Sequence, residues 1–157
     1  MEHPGTRMSV ISDGMSQNHC SLPQMANQKD LPCTLDQHLQ GVLVHGNSFH
    51  VYRTFHNIPN NGNLNIYCLL SQLENWKAVH GKYPDVLYWQ VDGGSENANQ
   101  TCLGICELLI ARGVVSKIVF TRLPVGHTHE DIDAKFAKLW EAFRTSSVHT
   151  PQAISFI

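Results

Sequence analysis

The sequence has no apolar run near the ~18 residues a membrane-spanning helix needs. Met1 to Asp13 contains no secretory h-region. There is no internal repeat and no low-complexity tract, which excludes solenoid and linker-like architectures. Its five cysteines are an odd number, and no two of them form a Cys-x-x-Cys pair. That argues against a disulfide framework or a zinc ribbon and points to a reduced, intracellular protein. Cys102 and Cys106, four apart on an expected helix, read as small core residues. Positive charge is also scarce, with 11 Lys and Arg against 13 Asp and Glu for a net charge of -2. A free-standing nucleic-acid binder usually shows a basic face, so any grip on phosphate must come largely from elsewhere.

What remains is an ordinary globular composition. The chain has 157 residues, of which 42% are hydrophobic, enough for one domain with a real core. Apolar periodicity orders the elements. Met8 to Ser12 is a short strand leading to Asp13-Gly14. Residues 15–36 are loop-like, broken by Pro23 and Pro32. Gly41 to His45 and Phe49 to Phe55 form a hairpin turning at Gly46-Asn47. A helix over about 65–79 places Ile66, Leu69, Leu70, Leu73 and Trp76 on one face, and Gly81 and Pro84 stop it. Val86 to Val91 is apolar apart from Gln90 and reads as a central strand. A helix over about 99–112, apolar nearly all round, reads as buried and is closed by Gly113. Lys117 to Leu123 is the last strand, and a helix follows over about 129–144.

This β-β-β-α-β-α-β-α order predicts an α/β fold. Three antiparallel strands and two parallel crossover strands form a mixed five-stranded sheet with helices on both faces. It is the element order of the RNase H fold. Thr150-Pro151-Gln152 resembles a new helix start, so residues 1–157 are expected to be one core from a longer protein.

Three acids sit where such a fold gathers side chains. Asp13 follows the first strand, Asp92 ends the central strand, and Asp133 lies early in the last helix. Hard cations such as Mg²⁺ or Mn²⁺ take oxygen donors and bind through a few carboxylates with water and phosphate. Two such ions can activate an attacking oxygen and stabilise a leaving one. Taken singly, Asp13-Gly14 and Asp92-Gly93 would be ordinary turns. Within Glu130-Asp131-Ile132-Asp133, helix geometry ranks the acids. Asp133 lies roughly 75° from the centre of the stripe Ile132, Phe136, Leu139, Trp140 and Phe143, whereas Glu130 and Asp131 lie roughly 120–140° away. Asp133 is therefore the expected ligand and Glu130 the reserve. Glu130 and Asp131 also suit a helix N-terminus as first-turn acids. His127-Thr128-His129 admits a zinc-hydrolase alternative, but Ile132 stands where that motif needs its final histidine.

The run from Gln90 to Asn97, QVDGGSEN, resembles the second-acid motif of retroviral-type integrases, Asp-x-Gly-(Thr/Ser)-Glu. The run from Arg122 to Phe136, RLPVGHTHEDIDAKF, resembles the signature of an uncharacterised eukaryotic transposase-derived family with an RNase H-like core, distantly like DDE transposases. ISDGMSQ from Ile11 and GVLVHG from Gly41 are similar to that family's first-acid segment and next strand, so the resemblance spans nearly the whole chain. It implies divalent-metal-dependent DNA phosphodiester cleavage or strand transfer, with Asp13, Asp92 and Asp133 as catalytic ligands of Mg²⁺ or Mn²⁺. It also implies a catalytic role for His127 and a motif built on Gly126 and Phe136. Glu96, His129 and Glu130 would support the site. Many mobile-element enzymes close their triad with Glu, whereas this chain ends its triad with Asp, so its helix must approach the metals more closely. The implied partner is DNA, held mainly through flanking regions. A nuclear location and a homo-oligomer are compatible with this reading, and no membrane is expected. The non-enzymatic alternative is a domesticated, inactive core that binds nucleic acid or protein.

Overall fold

A computed structural model describes residues 6–23, 33–92, 99–122, 131–146 and 148–150. Among them are five strands: β1 (Arg7–Gly14), β2 (Gln37–Val44), β3 (Ser48–Phe55), β4 (Val86–Val91) and β5 (Lys117–Arg122). Three α-helices accompany them: α1 (Gly62–His80), α2 (Gln100–Ala111) and α3 (Asp131–Thr145). The strands make one sheet in the order β3-β2-β1-β4-β5. β2 is antiparallel to β1 and β3, while β4 is parallel to β1 and β5. The α/β class and the mixed five-stranded sheet are therefore as the sequence predicts. Among the described residues no helix is long and apolar enough to cross a membrane.

Strand alternation sorts the side chains into two cores. On one face, Met8 and Val10 of β1, Val42 and Val44 of β2, and Leu87, Trp89 and Val91 of β4 meet Leu69 and Leu73 of α1 and Cys102 and Leu109 of α2. On the other face, Ile11, Leu39 and Leu43 meet Ile132, Phe136 and Phe143 of α3. A 3-10 turn at Gln17–His19 lies on the α3 side, where the His19 ring stacks on Trp140 at 4.1 Å. Helix ends follow local chemistry. The Asn61 side chain accepts the Asn63 N–H at the start of α1. Gly81 ends that helix at φ 78, a left-handed conformation that glycine takes without a Cβ clash.

The structure corrects four details of the sequence reading. β1 runs through Asp13 to Gly14 rather than ending before them. β2 begins at Gln37, four residues ahead of Gly41, and all eight of its residues are buried. The buried face of α1 is rotated: Asn65, Cys68, Leu69, Gln72, Leu73 and Trp76 point inward, while Leu70 is exposed. Two amides occupy that face because each finds a partner, Asn65 with Ser12 and Gln72 with the Tyr52 hydroxyl. Finally, α2 is buried only along Cys102, Cys106 and Leu109, and Leu103, Leu108 and Ile110 are exposed. α2 packs on α1 and on the edge strand β5, and among the described residues nothing covers its outer side.

Candidate active site

Strand register brings the first two acids together. β1 and β4 are parallel, with Ser12 opposite Val91. Asp13 and Asp92 are the next residues on each, at the same end of the sheet. Both project to the face opposite Val10, Trp89 and Val91, which is the α3 face. The third acid arrives by helix packing. Gly41 is the β2 partner of Asp13, and a Cβ at Gly41 would stand 2.5 Å from Phe136 Cζ. Only glycine lets the Phe136 ring lie on the strand there. Asp133 is three residues before Phe136 on α3, so it sits one turn toward the helix N-terminus.

The three carboxylates share a field. Burial pushes the Asp13 carboxyl up to about 6, the Gly14 N–H lowers it, and the negative charges of Asp92 and then Asp133 raise it again. The Gly14 N–H donates to Asp13 Oδ1 at 2.7 Å. Asp131 behaves differently. It is exposed, and its Oδ2 lies 3.3 Å from His45 Nε2. Asp133 is half-buried and Asp131 is turned outward, which is the order that helix geometry predicts. Glu96, Gly126, His127, His129 and Glu130 lie outside the described residues. Ile132 is fully within the α3 core.

Donor chemistry at Asp13, Asp92 and Asp133 fits a hard divalent cation, because every side-chain donor is a carboxylate oxygen and their mutual repulsion is what a cation relieves. Among the described residues, however, no three His, Cys, Asp or Glu side chains form a ready metal-holding group. The carboxylates make a shared negative zone, not a closed cage. Mg²⁺ commonly binds through one or two carboxylates, with waters and substrate phosphate completing its shell.

Behind the acids lies a buried polar chain that the sequence reading missed. Gln40 Nε2 donates to Ser12 Oγ at 3.0 Å and to Asn65 Oδ1 at 3.1 Å. Ser12 Oγ donates to Asn65 Oδ1 at 3.0 Å. His38 Nε2 lies 3.1 Å from Gln40 Oε1. This chain fixes the C-terminal end of β1 from the α1 side, directly behind Asp13. Its sequence signal is faint: alternate polar residues, His38 and Gln40, lead into an apolar strand, and an asparagine breaks the α1 stripe.

No curated protein and no solved structure matches the chain. A family model described as Domain of unknown function (DUF7869) matches residues 27–156, a span that holds Asp92 and Asp133 but not Asp13. With most of its length matched, the chain belongs to the DUF7869 family.

Proposed function

We propose that this chain is an RNase H-like core of the transposase and integrase type, which cleaves or joins DNA phosphodiesters with Mg²⁺ or Mn²⁺. The observation that carries the reading is the coupling of Asp13 to Asp92 and Asp133 at one end and on one face of the sheet. The β3-β2-β1-β4-β5 order, with the first three strands antiparallel and the last two parallel, supports the RNase H-like assignment. Bound there, divalent cations supply an activated attacking oxygen and charge relief for the leaving one. The chain's own contribution is to position and to polarise. Asp13, Asp92 and Asp133 hold the ions, and the Gly14 N–H orients Asp13. The Ser12–Gln40–Asn65 chain keeps the end of β1 from shifting. DNA is the proposed partner, gripped mainly through flanking regions, in keeping with a net charge of -2. A nuclear location belongs to the same proposal.

The test is Mn²⁺-dependent nicking of DNA by the purified chain, with single-acid variants. Asp133→Ala is expected to abolish nicking and Asp131→Ala to retain most of it. Equal losses from both would show that the acid pointing away from the site had been wrongly dismissed. Wild-type protein with neither nicking nor Mn²⁺-dependent thermal stabilisation would favour the inactive, domesticated core. Zinc in the purified protein would favour the hydrolase reading through His127 and His129, which the burial of Ile132 at the third motif position argues against.

A further inference from the structure

A cavity of about 330 Å³ lies between α3 and the turn from β2 to β3. Leu43, His45 and Gly46 line one side of it, and Asp131, Lys135 and Lys138 of α3 line the other. A Cβ at Gly46 would meet nothing within 4 Å, so the turn does not crowd the cavity. The cavity and Asp133 share the N-terminal half of α3 but not its side. Lys135 and Lys138 stand about 200° and 140° round the helix from Asp133. The body of α3, about 10 Å across with its side chains, separates the lysines from the carboxylates.

Two positive charges meet there without a counter-charge. Asp131 precedes Lys135 by four residues and Glu141 follows Lys138 by three, both within helical ion-pair reach. Neither acid is used in that way: among the described residues Lys135 and Lys138 make no salt bridge. Asp131 instead turns its Oδ2 to His45 Nε2 at 3.3 Å, and His45 Nδ1 lies 3.1 Å from Ser9 Oγ. Other lysines of the chain are engaged. Lys82 Nζ meets the Asp85 carboxylate at 3.3 Å, and Lys77 Nζ lies 4.6 Å over the Tyr83 ring. Like charges one turn apart destabilise a helix, so Lys135 and Lys138 gain nothing locally from sharing a cavity. They suit an anion from outside. Among the described residues no Phe, Tyr or Trp lines the cavity to stack a base, and no arginine lines it to grip an anion with a planar fork. Lysine ammonium groups bind phosphate as point charges and need neither.

We propose that this cavity seats a backbone phosphate of the DNA, held by Lys135 and Lys138 across α3 from the carboxylates. The helix diameter corresponds to about three steps of ~3.4 Å along one strand. The seat thus holds the DNA a short way from the phosphate that meets Asp13, Asp92 and Asp133. Contacts of this kind fix register and carry no sequence information. Asp131 shares the cavity, and its carboxylate opposes the anion that the lysines attract. The inference rests on the DNA reading above, and the two can fail separately.

The experiment measures binding of the full chain to a fluorescent DNA duplex in Mn²⁺ across a range of salt. Each phosphate contact adds about 0.9 to the slope of log affinity against log salt. The double variant Lys135→Gln, Lys138→Gln is therefore expected to flatten that slope by about 1.8 and to weaken binding alike on unrelated sequences. Its thermal midpoint should equal or exceed that of wild type, because a like-charge pair is removed. Asp131→Asn should have the opposite effect and tighten binding several-fold. Lys82→Gln, which removes a lysine already paired with Asp85, should leave the slope as it is. An unchanged slope in the double variant, an equal flattening in Lys82→Gln, or a wild type that binds no duplex at any salt overturns the phosphate seat. If the double variant fails to fold, Asp131→Asn decides, and unchanged or weaker binding there overturns the seat as well. Mn²⁺-dependent nicking is measured separately on wild type. Nicking with an unchanged slope sinks the seat alone. A flattened slope without nicking sinks the nuclease and keeps the seat.

Discussion

Ser12 and Asp13 are neighbours on β1 that face opposite sides of the sheet, and they meet opposite fates. Ser12 turns toward α1 and enters a neutral chain in which it both donates and accepts at 3.0 Å. Asp13 turns toward α3, where burial first and then the charges of two other carboxylates raise its carboxyl to about 6. One side of the strand satisfies its polar atoms, and the other crowds like charges together. A fold has no structural reason to gather acids around a partly buried acid, since burial and repulsion both destabilise the charged form. Such perturbed groups concentrate at functional sites. The neutral side is then the rigid support against which the charged side is held.

The largest expected effect breaks the supporting side. Asn65→Ala removes the acceptor shared by Ser12 and Gln40 and leaves two buried groups short of a partner. Each such group costs about 1–3 kcal/mol, so the variant should lose about 3 kcal/mol in urea unfolding at pH 7. A loss below about 1 kcal/mol would mean that the chain is not a support and that β1 is held by its strand neighbours alone.

The second effect has the opposite sign. Asp13→Asn keeps the shape and the acceptor for the Gly14 N–H but removes the charge. A carboxyl raised from 3.8 to about 6 in the folded state binds more protons folded than unfolded between those values. Wild-type stability therefore falls as pH rises from about 4 to about 6 and stays lowered above that. The full linkage would be about 3 kcal/mol, and partial exposure of the carboxyl discounts it to about 1–2 kcal/mol. Asp13→Asn should be more stable than wild type by that amount at pH 7.5 without divalent metal, and equal to it near pH 3.5. Added Mn²⁺ should close the gap by stabilising wild type only. A variant less stable than wild type at pH 7.5 would show that Asp13 is held by favourable contacts rather than against repulsion.

Which parts were legible follows the same division. β4 reads directly from an apolar run between Pro84 and Asp92, although only the face with Leu87, Trp89 and Val91 is buried and Tyr88 on the other face is exposed. α3 reads from a clean stripe of Ile132, Phe136 and Phe143, all buried. The three acids were legible because each stands at an element end. The supporting chain was not, because hydropathy marks His38, Gln40 and Asn65 as surface residues. Their burial depends on partners up to 53 positions away in sequence, and no local pattern encodes those. The open side of α2 was hidden for the converse reason. Its apolar residues look buried all round, and only the edge position of β5 leaves Leu103 and Ile110 exposed.

The smallest effect is expected at Asp131, and it sharpens the comparison most. Asp131 and Asp133 share the first turn of α3, and both complement the helix dipole. Only Asp133 contributes to raising Asp13. Asp131 is 77% exposed and faces His45 across 3.3 Å, a surface contact, and even a fully charged surface pair is worth only about 0–1 kcal/mol. Asp131→Asn should therefore change stability at pH 7 by less than about 0.5 kcal/mol. It should also leave the titration of the Asp13 carboxyl unmoved when followed by carbon NMR. Asp133→Asn should move that titration to lower pH, because it removes a repelling charge. If instead Asp131→Asn shifts the Asp13 curve and Asp133→Asn does not, the α3 turn presents the other carboxylate to the site. The pairing of acids drawn from Gly41 and Phe136 would then be wrong.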